Sequence, residues 1–276
     1  MRYTALLAAL FVAIGMAIPA NAQNARQIAK RVFPSTVLLV MEDANGQPLS
    51  LGSGFFVTPD TVATNFHVIE GSKSGFAKLV GKRQTFEVVG VVSVDQQHDL
   101  ALLKLKGVMA PSLKLAGGEN VAVGDRVYAV GNPLGLEGTF TQGIVSGIRH
   151  SKTDAFLQIS APISPGSSGG PVLNSKGQVI GVATSTFKGG QNLNFAVPST
   201  YVKAAIASMT SPRQLVGIQI LPKPKGGVGG RGKSIDGVAV THLQRNSSYG
   251  FYYSVRNKTR RNIKNITILF ILKDRL

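Results

Sequence analysis

The sequence predicts an all-β protein whose strands fall into two groups. Val, Gly, Thr and Ser dominate many segments of the 276 residues. Turn signals separate short apolar runs every several residues, the spacing of a β-sandwich or barrel, and long stretches of helical periodicity are scarce. With 43% hydrophobic residues the chain can bury one large or two small cores, so disorder is excluded for most of it.

Taken in order, the first segment reads as an export signal. Arg2 supplies a positive start, residues 5–18 are apolar, and Ala20-Asn21-Ala22 forms an A-x-A cleavage site, so residues 1–22 are a signal peptide and the mature chain begins at Gln23. The apolar run is shorter than the ~20 residues a spanning helix needs. The chain contains no cysteine, which suits an oxidising compartment and excludes thiol chemistry. A bacterial periplasmic or secreted protein is expected.

A short helix ending near Val32 precedes a buried strand over 35–41 (STVLLVM), and Asn45-Gly46 marks a hairpin turn into a return strand over 51–57. A third strand begins at Thr61 and runs into Phe66-His67-Val68, placing His67 at a strand end. Residues 86–94 and 100–104 add strands, with Asp99 at the loop-to-strand junction between them. A second series follows at 126–130, 139–148, 156–159, 172–173, 179–184 and 193–197, so the natural division is two six-stranded halves. Ser199 then caps a helix over 201–209.

From Pro212 onward 13 Lys and Arg face Asp236 and Asp274, so most of the net charge of +17 lies in this tail. Residues 212–235 have a Pro/Gly-rich linker composition. Residues 236–276 form a β-rich segment with an expected hairpin between 249–255 and 266–272. Such a tail is drawn to anionic cell-envelope surfaces. Nucleic acid is the weaker fit, since no recognised aromatic stacking motif is interleaved with the charges.

The chemistry centres on Ser164-Pro165-Gly166-Ser167-Ser168-Gly169-Gly170-Pro171, a glycine-flanked serine turn that exposes a hydroxyl and converges backbone N–H groups. Taken alone, such a stretch is more often an ordinary surface loop. A nucleophilic serine needs a base and an acid that orients the base, and His67 and Asp99 supply those types. His98 competes as base, but alternation along the chain points it away from Asp99. A metal site of Asp95, His98 and Asp99 would crowd three ligands into one loop with no partner spacing elsewhere, so neither metal nor cofactor is expected.

At this point the chain resembles the HtrA/DegP-like serine proteases of the chymotrypsin clan. The resemblance rests on Gly52-Ser53-Gly54-Phe55, Thr64-Asn65-Phe66-His67-Val68, Asp99-Leu100-Ala101-Leu102-Leu103-Lys104, Gly131-Asn132-Pro133-Leu134-Gly135, Gly143-Ile144-Val145-Ser146 and Gly166-Ser167-Ser168-Gly169-Gly170-Pro171, in that order. It implies a double β-barrel over 23–211, with His67 as general base, Asp99 as its orienter and Ser168 as nucleophile. The N–H groups of Gly166 and Ser168 would form the oxyanion hole. Ala183, Thr184 and Ser185, with Asn194 and Phe195, would wall a substrate pocket whose base is Pro162, which implies a small apolar residue before the scissile bond. The implied activity is exported serine endopeptidase acting on polypeptides in quality control or processing. Homotrimers built through N-terminal contacts are also implied, with Phe33 a candidate for such a contact or for the core.

The chain departs from the family in two ways. Ser167 stands where Asn is usual, and Ser160-Ala161-Pro162 replaces an Asp-Ala-Ala run. No PDZ pattern follows Ser211; instead Asn257-Lys258-Thr259 and Ile263-Lys264-Asn265-Ile266 resemble part of an FxLYD-type β-sandwich. The competing reading is a latent protease-fold chaperone or binding module that uses its basic C-terminal segment on anionic surfaces.

Overall fold

The computed structural model describes residues 25–117, 121–133, 136–150, 154–184 and 193–215 in full, with the backbone of 185–186, 238–245 and 251–257. The chain divides into two compact units, Met1–Gln219 and Ile220–Leu276.

The first unit contains twelve strands in two closed antiparallel barrels. The first barrel comprises β1 (Thr36–Glu42), β2 (Pro48–Thr58), β3 (Thr61–Thr64), β4 (Ser74–Leu79), β5 (Thr85–Asp95) and β6 (Leu100–Leu105), in the order β1-β2-β3-β6-β5-β4. The second comprises β7 (Arg126–Gly131), β8 (Thr139–His150), β9 (Ala155–Ile159), β10 (Pro171–Asn174), β11 (Val179–Thr186) and β12 (Asn194–Pro198). Its order β10-β11-β12-β9-β8-β7 is the same permutation, so the halves repeat one topology. Closure pairs every strand on both sides and removes exposed edges. The expected division into two six-stranded halves is observed.

The period of two along each strand explains the unbroken apolar runs. Leu103 and Leu105 point into the first barrel, while Leu100 and Leu102 point to the seam between barrels. In the second barrel Val127 and Ala129 face the interior, and Tyr128 and Val130 face the seam. Both faces of these strands are therefore apolar, the pattern of a strand buried on two sides. The seam is completed by helix α1 (Ala25–Val32), which inserts Ile28 and Val32, and by helix α3 (Ser199–Ala207), which inserts Val202 and Ala205. Phe33 packs edge-on against Phe140, whose ring stacks on Tyr128, so its aromatic contact is within this unit.

Four details differ from the sequence reading. Strand β4 was absent from it, because its buried positions are Gly75 and Ala77 and no large apolar alternation marks the segment. The chain around His67 is not a strand end but one helical turn, α2 (Phe66–Ile69). Ser199 is the first residue of α3 rather than its cap, and its hydroxyl donates to the Ala116 carbonyl at 3.4 Å. Chain contacts with the first barrel continue past Ser211: Arg213 exchanges backbone hydrogen bonds with Val91, and Leu215 is buried in the barrel core.

In the second unit, β13 (Val238–Arg245) pairs antiparallel with β14 (Phe251–Asn257). The expected strand near 249–255 is present, but it pairs with the preceding strand. Residues 266–272, its expected partner, lie outside the described residues, as do the signal segment 1–22 and most of the linker.

Candidate active site

Asp99 organises the site from the first barrel. It stands just before β6 with φ +55°, the sole non-glycine residue of positive φ among those described, in a region Asp tolerates better than most. Its carbonyl accepts from Phe66 N at 3.1 Å and from Asn65 Nδ2 at 2.9 Å, and its Oδ1 accepts from His67 N at 2.9 Å. Those bonds satisfy the free N–H groups at the start of α2, so the helical turn is seated on Asp99.

The same seating brings His67 Nδ1 within 2.7 Å of Asp99 Oδ2. A carboxylate there accepts a hydrogen bond from Nδ1–H and leaves Nε2 of a neutral ring as the acceptor. From the second barrel, Thr184 Oγ1 donates to the same Oδ2 at 2.7 Å. Asp99 itself is buried, with 5% of its surface exposed, whereas 45% of the His67 side chain is open to solvent. Desolvation of the enclosed Nδ1 edge disfavours the imidazolium and is the largest single influence on His67. The hydrogen bond to Asp99, the charge of Asp99 and that of Glu70 together outweigh it, so the His67 pKa stands above its ordinary 6.5.

Ser168 lies in a turn whose peptide groups are almost all anchored. Ser167 N donates to Ser164 O at 2.8 Å, Gly170 N to Ser167 O at 3.0 Å, Gly169 N to Ala183 O at 2.8 Å, and Ser53 N to Ser168 O at 2.7 Å. Gly166 and Gly169 have φ of +94° and +86°, so the path is one that glycine adopts without strain. Among the described residues, neither Gly166 N nor Ser168 N donates to a protein acceptor. The Ser168 hydroxyl donates to the Thr184 carbonyl at 3.1 Å, and no hydrogen bond between Ser168 Oγ and His67 is present among the described residues.

The residues expected to wall a pocket are partly committed elsewhere. Thr184 serves Asp99 through its hydroxyl, a connection the sequence reading missed. Asn194 Nδ2 donates to Ala161 O at 2.8 Å and is buried, and Ala183 belongs to the core of the second barrel opposite Ala196. Phe195 is partly buried against the seam, and the Ser185 side chain lies outside the described residues. Pro162 is exposed, with its carbonyl accepting from Thr141 Oγ1 at 2.8 Å. An open cleft lined by Pro48, Leu49, Ser50, Leu51, Pro165 and Gly166 adjoins the turn.

His98 has partners of its own, although it lies in the turn between β5 and β6 where strand alternation does not apply. Its Nδ1 meets Asp95 Oδ2 at 2.5 Å, its Nε2 lies 3.1 Å from Asp154 Oδ1, and its ring stacks on Tyr201. It thereby ties the β5–β6 loop to the second barrel. No cluster of three His, Cys, Asp or Glu residues with metal-binding geometry occurs among the described residues.

Residues 52–182 match the model of the trypsin-like peptidase domain. The serine protease HhoB of Synechocystis sp. is 37% identical over 156 residues, covering 53% of this chain and 37% of the relative. A periplasmic serine endoprotease described as DegP-like, from Rhizobium meliloti, is 36% identical over 192 residues, covering 65% of this chain and 38% of the relative. The chain thus spans under two-fifths of the length of these curated relatives. The solved structure of the HtrA-type protease AlgW with a tripeptide superposes with a TM-score of 0.60 at 28% identity, over 67% of this chain and 63% of that one. The double barrel of this chain therefore has the trypsin-like protease fold, and its residues 52–182 are similar to the trypsin-like peptidase domain of HtrA/DegP-like serine proteases.

Proposed function

We propose that the protein is an exported serine endopeptidase that cleaves polypeptides through an acyl-enzyme. The observation that carries this reading is the hydrogen-bonded chain Thr184–Asp99–His67, assembled from both barrels beside a serine turn with two unpaired N–H groups. In the first step His67 Nε2 takes the Ser168 proton while Oγ attacks the scissile carbonyl, and the N–H groups of Gly166 and Ser168 bind the oxyanion. The imidazolium then protonates the leaving amine. Water repeats the sequence on the acyl-enzyme and frees Ser168. Asp99 holds the Nδ1–H tautomer and stabilises the imidazolium. The relatives described as periplasmic support the same compartment for this chain, in agreement with the export signal read at residues 1–22.

Pro162, six residues before Ser168, puts no carboxylate at the base of the expected pocket, which favours a small apolar residue before the scissile bond. Digestion of unfolded β-casein with cleavage sites mapped by mass spectrometry tests this. Cuts after Val, Ala or Ile are expected; cuts mainly after Lys or Arg would contradict the specificity, and no digestion by the wild type would contradict the activity.

One observation favours a second state of the same enzyme. The Ser168 hydroxyl bonds to the Thr184 carbonyl, a resting arrangement from which it must turn to His67 before attack. A latent enzyme of this kind labels slowly and accelerates when unfolded polypeptide is added. The basic residues read as an anionic-surface anchor fall mostly on residues outside those described, and nothing in the fold adds to that reading.

A further inference from the structure

Behind the serine turn lies a polar pair that the proposed chemistry does not use. Ser53 on β2 and Asn132 at the end of β7 are both fully buried, in a region otherwise packed with apolar side chains. Buried polar groups persist where their hydrogen-bond capacity is filled, and here it is. Asn132 Oδ1 accepts from Gly138 N at 3.0 Å, which assigns the amide orientation. Its Nδ2 donates to Val37 O at 2.9 Å and to Ser53 Oγ at 3.2 Å, and Asn132 N donates to the same Ser53 Oγ at 2.9 Å.

Two donors therefore occupy both lone pairs of the Ser53 hydroxyl, and its single proton has one direction left. That direction is the Gly166 carbonyl, 2.7 Å away. The peptide between Gly166 and Ser167 is consequently held at both ends, its C=O by Ser53 and its N–H by Ser164 O. Ser53 also donates its backbone N–H to Ser168 O, so one residue holds the carbonyls on either side of the Ser168 N–H, the first of them on Gly166 itself.

We infer that Ser53 and Asn132 are positioning residues that lock the serine turn with the Gly166 and Ser168 N–H groups converging on the oxyanion. The inference rests on the endopeptidase reading given above. Neither residue touches substrate; both act through the orientation of Gly166. Without the Ser53 hydroxyl the Gly166 carbonyl loses its partner inside the protein, the Gly166–Ser167 peptide keeps only its N–H anchor at Ser164 O, and the Gly166 and Ser168 N–H groups on either side of it are less firmly aimed at the transition state. Ground-state binding of substrate does not depend on that rotation, so the loss falls on kcat rather than KM.

The test compares wild type, Ser53→Ala, Ser53→Thr and Asn132→Ala in casein-peptide hydrolysis, with fluorophosphonate labelling rates and thermal unfolding of each. Ser53→Ala should lower kcat by about 10- to 100-fold, less than the removal of a whole oxyanion donor, with KM within about twofold. Ser53→Thr, which keeps the hydroxyl, should recover most of the rate. Asn132→Ala, which frees the Ser53 hydroxyl to rotate, should lower kcat in the same manner, and it decides the matter if Ser53→Ala does not fold. A folded Ser53→Ala or Asn132→Ala with wild-type kcat, or a lowered melting temperature as the sole effect, overturns the positioning role while leaving the endopeptidase reading intact. A wild type silent toward both fluorophosphonate and peptide overturns the endopeptidase reading, and the positioning role falls with it.

Discussion

Asp99 receives donors from three directions: the His67 backbone, the His67 ring and the Thr184 hydroxyl. Replacing it by Asn keeps the shape but presents an amide that favours the wrong His67 tautomer, and kcat should fall by about 10⁴-fold with little change in melting temperature. The raised His67 pKa sets two pH dependences of opposite sign. Catalysis needs neutral His67, so kcat/KM should rise with pH through an apparent pKa above 6.5, and Asp99→Asn should move that limb down. Stability runs the other way, because the folded pKa exceeds the unfolded one. The charged His67–Asp99 pair stabilises fully below pH ~6.5, and its contribution disappears as pH rises through the folded value. Thermal unfolding of Ser168→Ala against pH, with His67→Gln beside it, measures that part. At this scale His67, Asp99 and Ser168 were legible because each sits in a short motif whose residue types imply the chemistry. Thr184 was read as pocket wall instead. Its hydroxyl partner is 85 residues away on the other barrel, a proximity that local pattern does not encode.

The serine turn is the element on which the site depends, and its glycines are there for space as well as for φ. A Cβ on Gly169 would lie 2.1 Å from Ser53 O and 2.3 Å from Thr64 Oγ1, atoms of the first barrel that cannot withdraw without moving their strands. Gly169→Ala should therefore destabilise by about 3 kcal/mol or more and abolish fluorophosphonate labelling. Denaturant unfolding and labelling rate check the two parts. Strands were legible where both faces are apolar, as in β6 and β7, and where Asn45-Gly46 turns the chain between β1 and β2. Asp43 completes that turn by accepting from Asn45 N and Gln47 N. Strand β4 was not legible, since the space available beside Met41 admits only Gly75 and the strand carries no apolar stripe. The helical form of α2 also escaped the sequence, because it is imposed by Asp99 through bonds to Phe66 and His67 rather than by its own residues.

For the double barrel, the seam is a core in its own right. Phe55, Leu100 and Leu102 from the first barrel meet Tyr128, Val130 and Phe156 from the second, and the catalytic candidates lie in turns next to strands of the two barrels. Barrels joined this way should unfold together. Tyr128→Ala removes the largest fully buried side chain at the seam and should cost about 3–5 kcal/mol, with calorimetry still showing one transition for the two barrels. Two separated transitions would show that the seam does not couple them. The two-barrel division was visible in the sequence as a run of five strands and a run of six, β4 being the strand that did not show. The pairing of β14 with the strand before it was not, because the apolar run of residues 238–240 is short and Thr241, His242, Gln244 and Arg245 break its alternation.

The central claim is that Ser168, His67 and Asp99 form a working nucleophilic triad. Fluorophosphonate labelling of the mature protein, read by intact mass with Ser168→Ala and His67→Ala beside it, tests this most directly. One adduct per chain in the wild type, lost in both variants, is expected. A folded wild type that remains unlabelled, including after addition of unfolded polypeptide, would contradict it.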